Sequence, residues 1–273
     1  MREILDIVKG AVSAKDLVPV LTHVAIHDGR ICGYDGRVYI DAPAPAFKGL
    51  SFTVPALRFI AALESCGDEV PHVSTTEGRC LIVARNTKIT LPIGPIETFP
   101  RVEADESKRL RLRPGLIGAL RLLQPFVGDD ASRPWASGVL IEKGRMLATN
   151  NISIADLTFP GPTTRSYILP SFAIDELTRI GIDPSYMTLV DNAVTFYIEG
   201  DIWIRSKLIA EPWPESAPGI IDQFHEGARL TPVPMQLREA IERVRPFCED
   251  AKAPIVVASG QERRRQGARC RRR

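Results

Sequence analysis

The sequence predicts an α+β protein made of tandem copies of one unit, with antiparallel sheets on the outside and two helices per copy on the other side. Three observations carry this. The chain repeats itself at a spacing of 115 residues, each copy runs through helix-period and strand-period segments in the same order, and a third copy begins after residue 225.

The stretch HVAIHDGRICGYDG from His23 lies over GVLIEKGRMLATNN from Gly138, so that Val24 meets Val139, Gly29 meets Gly144, Arg30 meets Arg145 and Asp35 meets Asn150. In the same register Pro19 falls on Pro134 and Pro55 on Pro170, and after a slip of one residue Phe99-Pro100 meets Trp213-Pro214. The third copy opens with LTPVPMQLREAIERVRPFC, in which Pro246-Phe247 answers Pro125-Phe126; PIVVASG then imitates the strand ending at Gly144, and the likeness stops after Gly260. The domain limits that follow are 1–105, 106–222 and a partial third unit at 223–273. At the same offset Leu116 falls on Met1, so the strand that precedes the helix of the second unit has no counterpart after Met1: either the true start lies upstream or the first unit lacks an edge strand.

Within the second unit, Lys108 to Arg113 alternates leucine with basic residues, as a half-buried strand does. Pro114 suits a first helical residue, and Leu116, Ile117, Leu120 and Leu123 recur at helical spacing until Pro125. SGVLIEKGRMLAT reads as a hairpin turning at Lys143-Gly144, and ISIADLTF as a further strand. Pro170 precedes a second helix whose apolar face is Phe172, Ile174, Leu177 and Ile180. Strands follow at Tyr186 to Val190, Ala193 to Ile198 and Ile202 to Ile209, with a tight turn at Asp191-Asn192.

Composition narrows the function classes. The 44% hydrophobic and 25% charged content is that of a globular protein, and no apolar run approaches the ~20 residues that span a bilayer. The amino terminus, MREILDIVKG, has no signal-peptide core, so a cytoplasmic address is expected. Five scattered cysteines, Cys32, Cys66, Cys80, Cys248 and Cys270, form no C-x-x-C pair and read as reduced thiols. The formal charge of +2 hides an asymmetry: the last 13 residues hold seven arginines and one acid, and without them 28 basic residues face 32 acidic ones. A body of net charge −4 does not grip nucleic acid over its whole surface, so any DNA contact is confined to one face.

No phosphate-binding glycine loop, nucleophile elbow or paired-carboxylate spacing is present, which points to a non-catalytic protein without a cofactor. His23 and His27 stand about 13 Å apart if both lie on one strand, too far to share a metal ion.

Several segments together resemble the beta subunit of bacterial DNA polymerase III, the DNA sliding clamp, in a divergent, phage-like version. They are LVPVLTHVAI, TVPALRF and LPIGPIETFP in the first unit, and MLATNNISIA, ILPSFAIDEL and RSKLIAEPWPES in the second. The resemblance implies a ring of six similar domains with helices lining a central hole, subunits joined head to tail, and double-stranded DNA held by topology. It also implies a DNA polymerase and a clamp loader as partners.

Basic residues on the expected helices are the candidate DNA lining: Lys9, Arg58, Arg121, Arg179, Arg238 and Arg243. For the pocket that docks partner peptides in this family, Thr149 and Ile154 fall on the family's Thr and Leu, and Pro214 on the Pro after its aromatic. Ile152-Ser153 stands where the family has His-Arg. The altered pocket and partial third unit leave a second reading open, a ring-deficient interaction protein that competes for clamp partners. The arginine tail reads either as a sequence-blind hold on phosphates or as a segment outside the selected fold.

Overall fold

The computed structural model describes residues 2–14, 17–67, 69–104, 108–161, 163, 165–215, 219, 221–223 and 232–247. The chain forms two compact units, Met1–Ala217 and Pro218–Arg273.

In the first unit, α1 (Arg2–Val8) runs into a 3-10 turn at Lys9–Ala11, and a second 3-10 turn at Pro19–Thr22 leads into β1 (His23–His27). Then come β2 (Arg30–Tyr34), β3 (Val38–Pro43), β4 (Ser51–Pro55), α2 (Ala56–Ser65), β5 (His72–Thr76), β6 (Arg79–Ala84) and β7 (Thr87–Pro92). After β8 (Leu110–Arg111) the order repeats: α3 (Leu116–Leu123) with its 3-10 turn, β9 (Gly138–Glu142), β10 (Arg145–Thr149), β11 (Ile154–Thr158), β12 (Tyr167–Pro170), α4 (Ser171–Ile180), β13 (Tyr186–Val190), β14 (Ala193–Ile198) and β15 (Ile202–Lys207).

The repeats share a topology as well as an order. One sheet runs β4-β1-β2-β3 and its counterpart runs β12-β9-β10-β11, while β5-β6-β7 answers β13-β14-β15. Registers agree residue by residue: Cys32 faces Asp41 as Leu147 faces Asp156, and Ile204 faces Phe196 as Ile89 faces Ile82. Even the isolated bridges correspond, Thr53 to Gly94 and Ile168 to Ile209.

Both repeats put their helices on the same side of the sheets. Val24, Ile26, Ile40, Ile202 and Ile204 point into one core with Phe59 and Leu63 of α2, Leu120 of α3 and Ile174 and Leu177 of α4. The alternate strand residues Ala25, Tyr39, Tyr197 and Trp203 face the other way and form a separate aromatic cluster with Phe99. Burial is tightest where two apolar faces meet, and Gly138 marks the limit: a Cβ there would lie 2.4 Å from the Leu169 carbonyl oxygen.

Three sequence expectations shift by a few residues. The strand at Lys108 to Arg113 is ordered as the short β8, which pairs with β13. Pro114 lies outside the helix, because Gly115 takes a left-handed φ of 108° and α3 opens at Leu116. The opening is held from a distance: the Asp183 carboxylate accepts from the backbone N–H of Gly115 and of Ile117, both at 2.8 Å. β15 ends at Lys207, since Ile209 leaves the ladder to bridge Ile168.

In the second unit α5 (Met235–Val244) passes into a 3-10 turn at Arg245–Phe247, as α1 and α3 do. Its residues are exposed or half-buried, with Met235 and Phe247 more than two-thirds exposed. The PIVVASG segment and the arginine tail lie outside the described residues.

The repeats are fused by β3 pairing antiparallel with β15, which makes one eight-stranded sheet of β4-β1-β2-β3-β15-β14-β13-β8. Tyr39 stacks on Trp203 with ring centroids 5.1 Å apart. Arg30 pairs with Asp41 on its own sheet and crosses the junction to Asp201, reaching the carboxylate at 2.6 Å and the carbonyl at 2.8 Å. Asp41 also accepts from the Cys32 thiol at 2.8 Å, and burial raises its carboxyl above the ordinary carboxylate value despite these bonds. Removal of Arg30 would strand a buried carboxylate. Arg30→Ala is expected to lose about 2 kcal/mol at pH 7. Because Asp41 already binds its proton more tightly folded than unfolded, and more so without the guanidinium, the deficit shrinks as pH falls through the raised value. Urea unfolding of both proteins at pH 7 and pH 4.5 measures this; a deficit that grows on acidification contradicts it.

Candidate functional site

The helices form a row, stitched by arginine and glutamine side chains. Arg2 of α1 donates to the carbonyl of Gly67, just past the end of α2. Arg179 of α4 donates to the carbonyls of Asp6 at 2.7 Å and Ile7 at 2.8 Å, two acceptors that the end of α1 leaves without intrahelical donors. Arg121 of α3 donates to the Thr178 carbonyl at 3.0 Å, and Gln124 to the Asp175 carboxylate at 2.6 Å. The order along the face is α2, α1, α4, α3, so helices of both repeats make one surface. Gly10 permits the closest approach, because a Cβ there would collide with Glu176 and Arg179.

The candidate lining residues of the first unit have different surroundings on this row. Lys9 follows α1 and is ion-paired with Asp6. Arg58 projects from the exposed side of α2, between the largely exposed Leu57 and the buried Phe59. Arg121 is exposed and bonded to a carbonyl, not to a carboxylate. Arg179 is committed: besides the α1 carbonyls it holds Glu176, a glutamate only 8% exposed, through a forked pair at 2.7–3.0 Å. On α5, Arg238 pairs with Glu242 at 3.6 Å and Arg243 with Glu239 at 3.7 Å, both pairs one helical turn apart and solvent-exposed.

Charge on the row is nearly balanced. Arg2, Lys9, Arg58, Arg121 and Arg179 stand among Glu3, Asp6, Glu64, Asp175 and Glu176 on the same four helices. Sequence reasoning singled out the basic residues and passed over the acids interleaved with them, although the same helical spacing shows both.

Of the pocket candidates, Thr149 and Ile154 are register partners across β10 and β11. Thr149 is buried; its hydroxyl donates to the Ser153 carbonyl at 2.9 Å and accepts from the Asn151 N–H at 3.1 Å, which fixes the turn between the strands. Ile154 is 38% exposed. Pro214 is half-buried beside Trp213, whose ring packs edge-on against Trp135 at 5.2 Å. Trp135 belongs to the 3-10 turn Pro134–Ala136, and Gly128 fits between Ala136 and the Thr149 carbonyl. Trp213 and Thr149 therefore flank the same turn, and the tryptophan pair is a feature of this region that sequence reasoning missed. The repeat itself held the signal, since Trp213 answers Phe99. The Trp213 indole N–H is buried with no acceptor among the described residues.

His23 and His27 each face a hydroxyl of β4, Thr53 at 3.4 Å and Ser51 at 3.1 Å. Among the described residues no group of His, Cys, Asp and Glu is placed to hold a metal ion, and no helix is long and apolar enough to cross a membrane.

With this geometry in view, comparison with solved structures places the architecture in one class, the DNA sliding clamp. The sliding clamp of Bacillus subtilis superposes with a TM-score of 0.72 at 17% identity, covering 92% of this chain and 73% of that one. The DNA polymerase III beta subunit of Pseudomonas aeruginosa bound to griselimycin gives 0.69 at 21% identity, covering 90% and 72%. The Helicobacter pylori beta clamp bound to a DNA ligase peptide gives 0.66 at 16% identity, covering 78% of this chain and 65% of that one. No family model and no curated protein matches the sequence. The fold is thus that of the bacterial polymerase III beta subunit, reached at an identity where sequence patterns alone are faint.

Arg179 is the side chain on which the row most depends. Arg179→Ala would leave Glu176 buried without its cation and two helix-end carbonyls unpaired, a loss of about 2–3 kcal/mol. Lys9→Ala, which removes only an exposed pair, is expected to change stability by about 0.5 kcal/mol or less. Chemical denaturation of the two variants side by side tests the contrast, and equal losses would refute it.

Proposed function

We propose that this protein is a DNA polymerase processivity factor, a non-catalytic clamp that encircles double-stranded DNA and tethers the replicative polymerase in the cytoplasm. The segments 1–105, 106–222 and 223–273 are read as successive clamp domains, and copies of the chain join head to tail into a ring of six similar domains placed on DNA by a clamp loader. The observation that carries this reading is the uninterrupted sheet with all four helices of its two repeats on one side. A junction of that kind adds each unit in the same orientation, which is what a helix-lined ring needs.

The weak electrostatics of the helix row support sliding over gripping. Tight phosphate contacts would hold the protein in place, whereas a near-balanced surface on which Arg58 and Arg121 have no carboxylate partner among the described residues interacts loosely with any sequence. Lys9, Arg179, Arg238 and Arg243 complete the proposed lining. The neighbourhood of Thr149, Ile154 and Pro214, with Trp135 and Trp213, is the proposed dock for peptides of polymerase and loader. Two of the clamps described above carry a bound ligand, a DNA ligase peptide in one and griselimycin in the other.

A second reading, a ring-deficient protein that binds clamp partners without encircling DNA, is favoured by the balanced charge of the row beside that aromatic neighbourhood. Nicked circular plasmid separates the two when incubated with the protein, a bacterial clamp loader and ATP. A clamp is retained on the circle and lost on linearisation; Arg58→Gln with Arg121→Gln flattens the salt dependence of loading by a slope of about 2, at roughly 0.9 per phosphate contact. A micromolar monomer that binds loader but is never retained supports the second reading.

A further inference from the structure

Away from the helix row, the strand β8 and its flanks carry a line of arginines. Among the described strands β8 has one neighbour, β13. Leucine and arginine alternate here, so that Leu110 and Leu112 turn to the core while Arg109, Arg111 and Arg113 are exposed on the other side. That side is the one on which Tyr197 and Trp203 lie, opposite the helices. Arg109 shows it directly, its guanidinium lying over the Tyr197 ring at 3.8 Å from the centroid. Nearby carboxylates are engaged elsewhere, Asp183 by the N–H groups at the start of α3 and Asp201 by Arg30. Among the described residues no carboxylate pairs with any of the three arginines.

An aromatic ring stands beside these cations. Tyr186 is 41% exposed and lies between Arg111 and Tyr197 in the cross-strand register. A hollow opens at each side of it. One, of about 540 Å³, is lined by Arg111, Arg113 and Asp183, and the other, of about 510 Å³, by Arg109, Tyr197 and Glu199; Ser185 and Tyr186 line both. Hollows of this size accommodate small organic groups. Charge on an edge strand discourages stray pairing, which would account for the arginines but not for a half-exposed ring flanked by two hollows. Alternate residues of a strand stand about 6.6 Å apart, a spacing comparable to that of successive phosphates in an extended polynucleotide. Guanidinium forks match phosphate oxygens, and an exposed ring offers a base a face on which to stack.

We propose that this outward face binds single-stranded nucleic acid. The phosphates follow Arg109, Arg111 and Arg113 along β8, and a base turns inward to stack on Tyr186. Glu199 disfavours a phosphate in its own hollow and accepts from the amino groups of bases instead. A duplex keeps its bases stacked on one another and has none to offer the tyrosine. The contact lies across the sheet from the helix row and needs one chain only, so it does not depend on ring formation.

The test is fluorescence anisotropy of labelled oligothymidylate and of a blunt duplex with the full chain, without a clamp loader. Replacing Arg109, Arg111 and Arg113 by glutamine is expected to weaken oligothymidylate binding about tenfold or more at low salt and to lower its salt slope by about 2, at roughly 0.7 per phosphate contact. The corresponding triple lysine variant keeps the slope, which separates lost charge from lost folding. Tyr186→Leu is expected to weaken oligothymidylate about tenfold, as for loss of one stacked base, and to leave duplex binding unchanged. Arg58→Gln with Arg121→Gln, on the opposite face, leaves oligothymidylate binding as it is. The arginine tail is common to all variants, so differences among them report this face. Photocross-linking of an oligonucleotide containing 5-iododeoxyuridine should place a base on Tyr186. Unchanged binding by the glutamine variant, equal weakening of single strand and duplex by Tyr186→Leu, or cross-links confined to the tail or the helices overturn the proposal. Polyglutamate that competes as well as oligothymidylate overturns it in favour of an acidic peptide. Failure of retention on circular DNA with this binding intact removes the clamp function alone, and retention without this binding removes only the present site.

Discussion

The β3–β15 ladder is the interaction on which the rest of the structure depends. Without it the inner faces of β3 and β15 would each lie at an edge, in the half-covered state that Ala155 and Leu157 show on β11. With it, Ile40 and Ile204 face each other in a continuous core and the two repeats become one compact unit. Backbone pairing alone would leave the angle between repeats loosely set, since sheets twist over a range. The Arg30 fork and the Tyr39–Trp203 stack fix it from the outer face. Arg179 fixes it from the helix face, where it joins α4 of one repeat to the end of α1 of the other. Two guanidiniums on opposite faces of one sheet thus hold the boundary, each using a planar fork that a lysine could not reproduce.

That division of labour explains the electrostatics of the helix row. A guanidinium that satisfies two helix-end carbonyls and a buried glutamate is placed for geometry, and its field is largely cancelled by Glu176 beside it. Interleaved acids do the same for Lys9. The row is smooth in charge because the residues that align it are the residues that neutralise it. For a protein proposed to slide, that is a consistent outcome: positional order among helices does not require a strongly basic surface.

Much of this was legible in the sequence, and the reason is repetition. A hairpin at Lys143-Gly144 is a local pattern, but its recurrence at Asp28-Gly29 in the same register tied two distant segments to one topology. In the second repeat α4, following Pro170, and most of the strands followed from apolar periodicity with boundaries displaced by only a residue or two, and the register carried that order onto the first repeat. The opening of α3 did not, because its cap is Asp183, more than sixty residues away, and no local rule anticipates a tertiary carboxylate. The candidate lining was legible as a set of cations on helices and illegible as a charge distribution, since which arginine is committed depends on Gly10 bringing α1 against α4. The Trp135–Trp213 pair was likewise hidden, joining a turn to a segment far along the chain that periodicity leaves unassigned.

Where the repeats differ, chemistry follows the fate of the edge. The positions of Tyr39 and Trp203, which stack on the outer face of the internal junction, are taken by Ile154 and Lys88 on the two outer strands. An aromatic stack is suited to a boundary that forms once, during folding, and never meets solvent again. Exposed on an outer strand, the same two rings would make a flat apolar edge of the kind that aggregates. A lysine on β7 and a lone isoleucine on β11 avoid that flat apolar edge, and Asp156 of β11 is held in an ion pair by Arg145. The apolar inward face is thus common to both repeats, while the outer face is aromatic where the edge is paired within the chain and polar or sparse where, among the described residues, it is not.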